Sequence, residues 1–174
     1  MTNLSATTAV GGTFSTSVQM FDALGVSHVA NVTFTNTATG AWDYSVTVPG
    51  AEVTGGTAGT PFEIAAGALA FDATGNLATV DGAAAADITV TSPTWANGAT
   101  PTDFTWDLID ANGVSPLTGF AAPSATSSVT QNGAAAGTID SITINSDGEL
   151  IASFGAGRSV TVAQLALANF NNPA

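Results

Sequence analysis

The sequence predicts an all-β protein, an antiparallel β-sandwich or barrel-like domain built from hairpins with little or no helix. Three observations carry that prediction. Thr, Val, Phe and Ile recur in short alternating runs, the pattern of half-buried strands. Gly, Asn, Asp or Pro separates the runs at intervals of about ten residues, the rhythm of a sandwich or barrel. A turn signature of an apolar residue, an acidic or amide residue and a glycine also recurs, at Phe21-Asp22-Ala23-Leu24-Gly25, Phe71-Asp72-Ala73-Thr74-Gly75, Ile109-Asp110-Ala111-Asn112-Gly113 and, more loosely, Ile144-Asn145-Ser146-Asp147-Gly148.

The first hairpin is the clearest. Val18, Met20 or Phe21 on one arm and Val29, Val32 and Phe34 on the other flank the turn Asp22-Ala23-Leu24-Gly25, with Gly25 supplying the positive φ that such a turn needs. In chain order the strands are expected at Phe14 to Phe21, His28 to Asn36, Trp42 to Val48, Ala68 to Phe71, Ile88 to Thr91, Phe104 to Ile109, Ser127 to Gln131, Thr138 to Ile144, Leu150 to Phe154 and Ser159 to Ala168. In the sixth, Phe104, Trp106 and Leu108 share one face and Thr105, Asp107 and Ile109 the other. Two stretches also permit a helix: Gly82 to Ala86, and Val160 to Phe170, for which a strand is preferred. Gly50 to Pro61 and Pro116 to Ser128 read as long surface loops, the second a hinge candidate.

Composition narrows the function. A chain of 174 residues is long enough for one medium domain with a real core, or one domain plus part of a neighbour. It has no cysteine, so disulfides and thiolate metal sites are excluded and the redox compartment stays open. Thirteen acidic residues face a single Arg and no Lys, a formal charge of −12 that cannot neutralise a phosphate backbone or hold to an anionic membrane. With only 8% charged residues, Thr, Ser, Asn, Gly and Ala must cover the surface, as on extracellular bacterial assemblies. No apolar run of about eighteen residues could span a bilayer, and Met-Thr-Asn-Leu at the start lacks the regions of a secretory signal.

No residue set compels catalysis. His28, the single histidine, lies near Asp22 in sequence, but no second His, Cys or nucleophile loop completes a dyad, and a hydrogen bond to its own turn is expected instead. Asn145, Asp147 and Glu149 suggest an oxygen-rich calcium loop, yet the ligand spacing is incomplete and a turn at Asp147-Gly148 explains them. Asp103, Asp107 and Asp110 could pair as acid and base but read as strand ends and a solvent face. Trp42, Tyr44, Trp95 and Trp106 could stack on sugars if exposed together; in a β domain of this size they belong in a core. Arg158 is the one cation able to pair with a local carboxylate or a neighbouring molecule, worth about 0–1 kcal/mol when exposed. No catalytic residue, metal site or cofactor is therefore expected.

Two ordered blocks resemble one family. Val18 to His28, followed by Val32-Thr33-Phe34, is similar to the hairpin V-x-V-[YF]-D-S-L-G-x-x-H of bacterial flagellar hook proteins. Thr130 to Gly137, Ile144 to Gly148 and Leu165 to Phe170 resemble that family's TQ-[ND]-G-x-x-x-G, I-x-x-DG and [IV]-x-LANF run, in the same order. Between them, Leu69 to Leu77 resembles its L-x-F-[DN]-x-x-G-x-L strand and turn. The resemblance implies a non-enzymatic structural subunit of the extracellular hook, the flexible universal joint of the flagellum, whose partners are copies of itself in a helical assembly. It implies an internal fragment, since the helical ends of such subunits are unmatched. Residues 1–129 would be the outer, surface-exposed β domain, and residues 130–174 the returning strands of the adjacent inner domain, incomplete here. The isolated fragment is expected to be monomeric. A secreted adhesin, a carbohydrate-binding module or a calcium-dependent surface-layer module remains the alternative.

Overall fold

In the computed structural model, residues 1–155 and 158–166 are described. The chain forms two compact units, Met1–Gly133 and Ala134–Ala174. The first opens with β1 (Thr2–Asn3) and continues as a six-stranded antiparallel meander of β2 (Thr13–Phe21), β3 (Ser27–Ala38), β4 (Ala41–Pro49), β5 (Pro61–Phe71), β6 (Leu77–Val80) and β7 (Ala83–Ala84), neighbours in sequence being neighbours in space. A short 3-10 turn, Gly50–Glu52, follows β4. β8 (Ile88–Thr91) and β9 (Asp103–Trp106) form a separate antiparallel pair, and β10 (Leu117–Thr118) and β11 (Ala125–Thr126) flank β1. The all-β expectation holds, with one parallel contact among the described residues, β1 with β10.

Alternation explains why the meander has two different faces. Along β3 and β4, Ala30, Val32, Phe34, Trp42, Tyr44, Val46 and Val48 are buried while the residues between them face outward. The buried face meets the second layer: Trp106 of β9 packs on Phe34 and Tyr44, ring centroids 6.1 and 5.6 Å apart, the second edge-on. Leu4, Leu69, Val90, Trp95 and Leu108 complete the core, giving a two-layered, sandwich-like body.

Several boundaries differ from expectation for identifiable reasons. β5 begins at Pro61, not Ala68, because β4 supplies a partner for an Ala-rich stretch with little strand propensity of its own. Gly82 to Ala86 winds no helix; Asp81 (φ 52°) and Gly82 (φ 78°) make a two-residue hairpin turn between β6 and β7. β9 stops at Trp106 because Asp87 Oδ1 takes the Leu108 and Ile109 amides at 2.8 and 2.9 Å, replacing a ladder partner. Nor is Pro116 to Ser128 a loop throughout: Leu117 and Thr118 are buried, and β10 and β11 clasp the first strand. Ser127 to Gln131 is not a strand, the pairing ending at Thr126 and passing to hydrogen bonds from Ser127 N to Met1 O and from the Met1 amino group to Ser128 O.

The second unit is one antiparallel sheet of β12 (Ile139–Ile144), β13 (Glu149–Phe154) and β14 (Arg158–Gln164). The last strand, expected from Ser159 to Ala168, spans Arg158–Gln164 among the described residues, and Leu167 to Ala174, the whole LANF stretch included, lies outside them. Paired positions place Ile142, Ile144, Leu150, Ala152 and Val160 on one face and Ser141, Thr143, Ile151, Ser153, Ser159 and Thr161 on the other.

Candidate functional site

The four recurring turns share one geometry, set by the side chain at their first position. Asp22 Oδ1 accepts the Leu24 and Val26 amides at 2.8 and 2.9 Å; Asp72 Oδ1 accepts those of Thr74 and Asn76, Asp110 Oδ1 those of Asn112 and Val114, and Asn145 Oδ1 those of Asp147 and Glu149. A short oxygen-bearing side chain is needed to reach back to its own turn. The glycine at the fourth position has φ between 75° and 82° in all four, a conformation costly to any side chain bearing Cβ. These hydrogen bonds hold the Asp72 carboxyl at about 2, led by Thr74, and lower that of Asp110, led by the Val114 amide.

Only the first of these turns carries a buried polar cluster. His28, the second residue of β3, lies with Nε2 3.1 Å from Asp22 Oδ2 and Nδ1 2.6 Å from Glu52 Oε2 in the 3-10 turn. Its ring stacks on Trp95 at 3.6 Å and 10°. Asn97 Nδ2 donates to Asp22 Oδ2 at 2.6 Å, so one carboxylate ties the hairpin to the loop between β8 and β9. Burial acts to raise the Asp22 pKa, but the bonds from Asn97, His28, Val26 and Leu24 outweigh it and hold the group at about 2. The expected bond between His28 and its own turn is present. With both ring nitrogens committed to carboxylates and the residue 4% exposed, the arrangement is a clasp joining three segments of chain. Glu52, Asn97 and Trp95 were not anticipated in it; nothing local marks contacts spanning 24 and 75 residues.

The other singled-out groups are scattered. Asn145 donates to Glu149 Oε2 while serving as the acceptor of its own turn, so Asn145, not Asp147, organises that hairpin. Asp103 takes the Thr91 hydroxyl, Asp110 caps a turn, and Asp107 is exposed. Trp42, Tyr44 and Trp95 are core residues and Trp106 is half-buried against them, so these four form no solvent-facing platform. Tyr44 donates to Asp81 Oδ2 at 3.2 Å, and burial, with the Asp81 charge next, pushes its hydroxyl up to about 12. Arg158 begins β14 in an exposed position.

The remaining feature is extended. The outer face of the meander presents registered rows Thr13/Thr35/Asp43/Ala68, Ser15/Thr33/Ser45/Ala66 and Ser17/Asn31/Thr47/Glu63 across β2 to β5. Ser15 and Thr33 hydroxyls lie 3.1 Å apart, and Ser45 donates to Glu63 at 2.7 Å. Such a face offers many interchangeable hydrogen-bond partners and little apolar area.

Residues 2–134 match the family described as the flagellar basal body protein FlaE D2 domain. The flagellar hook protein FlgE of two Helicobacter pylori strains is 32% identical over 164 residues, 93% of this chain. The chain spans 22% of the length of those relatives. Among solved structures, a 32 kDa fragment of the hook protein FlgE from Caulobacter crescentus superimposes with a TM-score of 0.54 at 21% identity, covering 68% of this chain and 46% of that one. Helicobacter pylori flagellar hook protein FlgE2 gives 0.50 at 18%, covering 88% and 32%. At those identities the structural likeness establishes a shared fold.

Proposed function

The chain belongs to the flagellar basal body protein FlaE D2 domain family, and from that membership we propose that it is part of a structural subunit of the bacterial flagellar hook. It works without an active site, outside the cell, by contact with copies of itself. Residues 1–129 are the outer β domain of the subunit, a reading supported by the compact unit formed by Met1–Gly133. Residues 130–174 return into the adjacent inner domain. The exposed Ile142, Ile144 and Val160 on one face of that sheet support this reading, because an apolar face on three strands needs covering and the relatives extend far beyond the shared stretch.

The observation that carries the mechanism is the registered Ser/Thr/Asn face of β2 to β5. A universal joint requires each subunit to slide against its neighbours while keeping its own shape. Polar, repeated, water-bridged contacts differ little in energy from one register to the next, whereas an apolar interface would favour a single register. The net charge of −12 keeps unassembled copies apart, and the isolated chain is monomeric and indifferent to calcium. The carbohydrate-binding alternative depended on a solvent-facing platform of Trp42, Tyr44 and Trp95, all of which are buried.

The test is made in the complete hook protein. Thr33→Leu, Ser45→Leu and Thr47→Leu together should leave assembly intact but narrow the range of hook curvatures in electron micrographs and impair swimming. Hooks of normal curvature range and normal motility would remove the sliding-face mechanism. For the isolated chain, light scattering over a concentration series should give a monomer, and a calcium and chelator melting series should give one midpoint; a large calcium shift would return the surface-layer reading.

A further inference from the structure

The chain contains three Asn-Gly dipeptides, Asn97-Gly98, Asn112-Gly113 and Asn132-Gly133, the sequence most open to attack of a backbone nitrogen on the preceding carboxamide because glycine places no Cβ beside that nitrogen. The fold treats them unequally. Gly98 N is held by Trp95 O at 3.1 Å, and the Asn97 carboxamide is engaged at both ends, by Ala99 N at 2.9 Å and Asp22 Oδ2 at 2.6 Å. Gly113 N is held by Asp110 O at 2.9 Å inside one of the side-chain-capped turns. Asn132 and Gly133 are exposed, belong to no helix or strand, and among the described residues neither the Asn132 side chain nor the Gly133 amide makes a hydrogen bond.

We infer that Asn132-Gly133 is a self-modification site, at which the folded protein deamidates selectively with water as the only co-reactant. The Gly133 nitrogen, after losing its proton to solvent base, forms a bond to Asn132 Cγ. The Cγ–Nδ2 bond breaks, and Nδ2 leaves as ammonia with a proton from water. Water then opens the resulting five-membered imide at either carbonyl, giving aspartate or isoaspartate without change of oxidation state. One negative charge is added to a chain at −12, and the isoaspartate product lengthens the backbone by one carbon at the last two residues of the first unit. The same reaction at Asn97 would set a new carboxylate against that of Asp22, and the clasp withholds both reacting atoms.

The purified chain, incubated at mildly alkaline pH and sampled over time by peptide mapping with mass spectrometry, should convert Asn132 first, Asn97 and Asn112 lagging at least about tenfold because their turns must open before reaction. In denaturant the three rates should converge, since the selection resides in the fold. Gly133→Ala should slow conversion at Asn132 in both states, the added Cβ meeting only the movable Gln131 and Phe21 side chains at 3.0 Å. The inference is overturned if folded Asn97 or Asn112 keeps pace with Asn132, if folded Asn132 resists while the denatured chain converts, or if the three rates still differ in denaturant.

Discussion

Replacing Asp22 by alanine removes an acceptor used four times, by the amides of Leu24 and Val26 and by the side chains of His28 and Asn97. Hydrogen bonds to a charged group contribute about 1.5–3 kcal/mol each but are not additive within one network. The two turn amides can turn to water, whereas the His28 side chain is 5% exposed and would keep Glu52 on one nitrogen and nothing on the other. Leaving a buried polar group without its hydrogen-bond partner costs about 1–3 kcal/mol, the range expected for Asp22→Ala. With a urea slope of about 2 kcal/mol/M, the midpoint should fall by roughly 1 M. Tryptophan fluorescence suits the measurement, because Trp42, Trp95 and Trp106 all lie in the first unit and report its unfolding alone. Asp72→Ala is the control, since it removes the same turn acceptor without a buried histidine or a tie to a distant loop. Equal midpoint shifts for the two variants would refute the claim that the clasp, and not the turn, makes Asp22 stabilising.

Acid should destabilise the first unit in a defined window. Asp22 and Asp72 are held at about 2 against the ordinary 3.8, so their stabilisation is full above about pH 4 and is lost as pH falls through 2; a melting temperature flat over that interval would contradict it. Tyr44, the single tyrosine, should ionise near 12 in an ultraviolet titration, and Asp81→Asn should bring that value down by removing the neighbouring charge. Gly75→Ala should be worse than Gly113→Ala. Both impose positive φ on a Cβ-bearing residue at about 1–3 kcal/mol, but at Gly75 the new carbon also falls 2.6 Å from Phe120 Cδ1, while at Gly113 it meets open space, and denaturation midpoints in the reverse order would disprove it.

The parts of this fold legible in sequence are those decided within a dozen residues. β2, β3, β4 and β8 fell within a residue or two of expectation, because alternation and side-chain-capped turns are local. Most strands missed owe their stability to distant partners; β6 is the exception, absent from the expected strands although it pairs with β5 directly across the Asp72-to-Gly75 turn. β1, β10 and β11 are two residues each and exist through pairing across more than a hundred positions, and the start of β5 owes its extension to β4. One miss had a readable sign: Asp81-Gly82 is a favoured hairpin dipeptide, overshadowed by the alanines after it. At the site the same division holds. The bond between His28 and its turn follows from six residues of sequence, while Glu52, Trp95 and Asn97 arrive only when the meander and the β8–β9 loop come together.

The order of the strands also dictates an order of events. Each strand of the meander finds its partner immediately before or after it, so β2 to β7 can zip successively with small loop-closure costs. The first strand cannot join them. Thr2 pairs with Thr126, 124 residues on, so its strand gains a partner only when that segment has come into place. Pairing of β1 with β10 and β11 should then follow the rate-limiting formation of the meander, and variants at Leu4 or Leu117 should mainly accelerate unfolding while leaving the folding rate almost untouched.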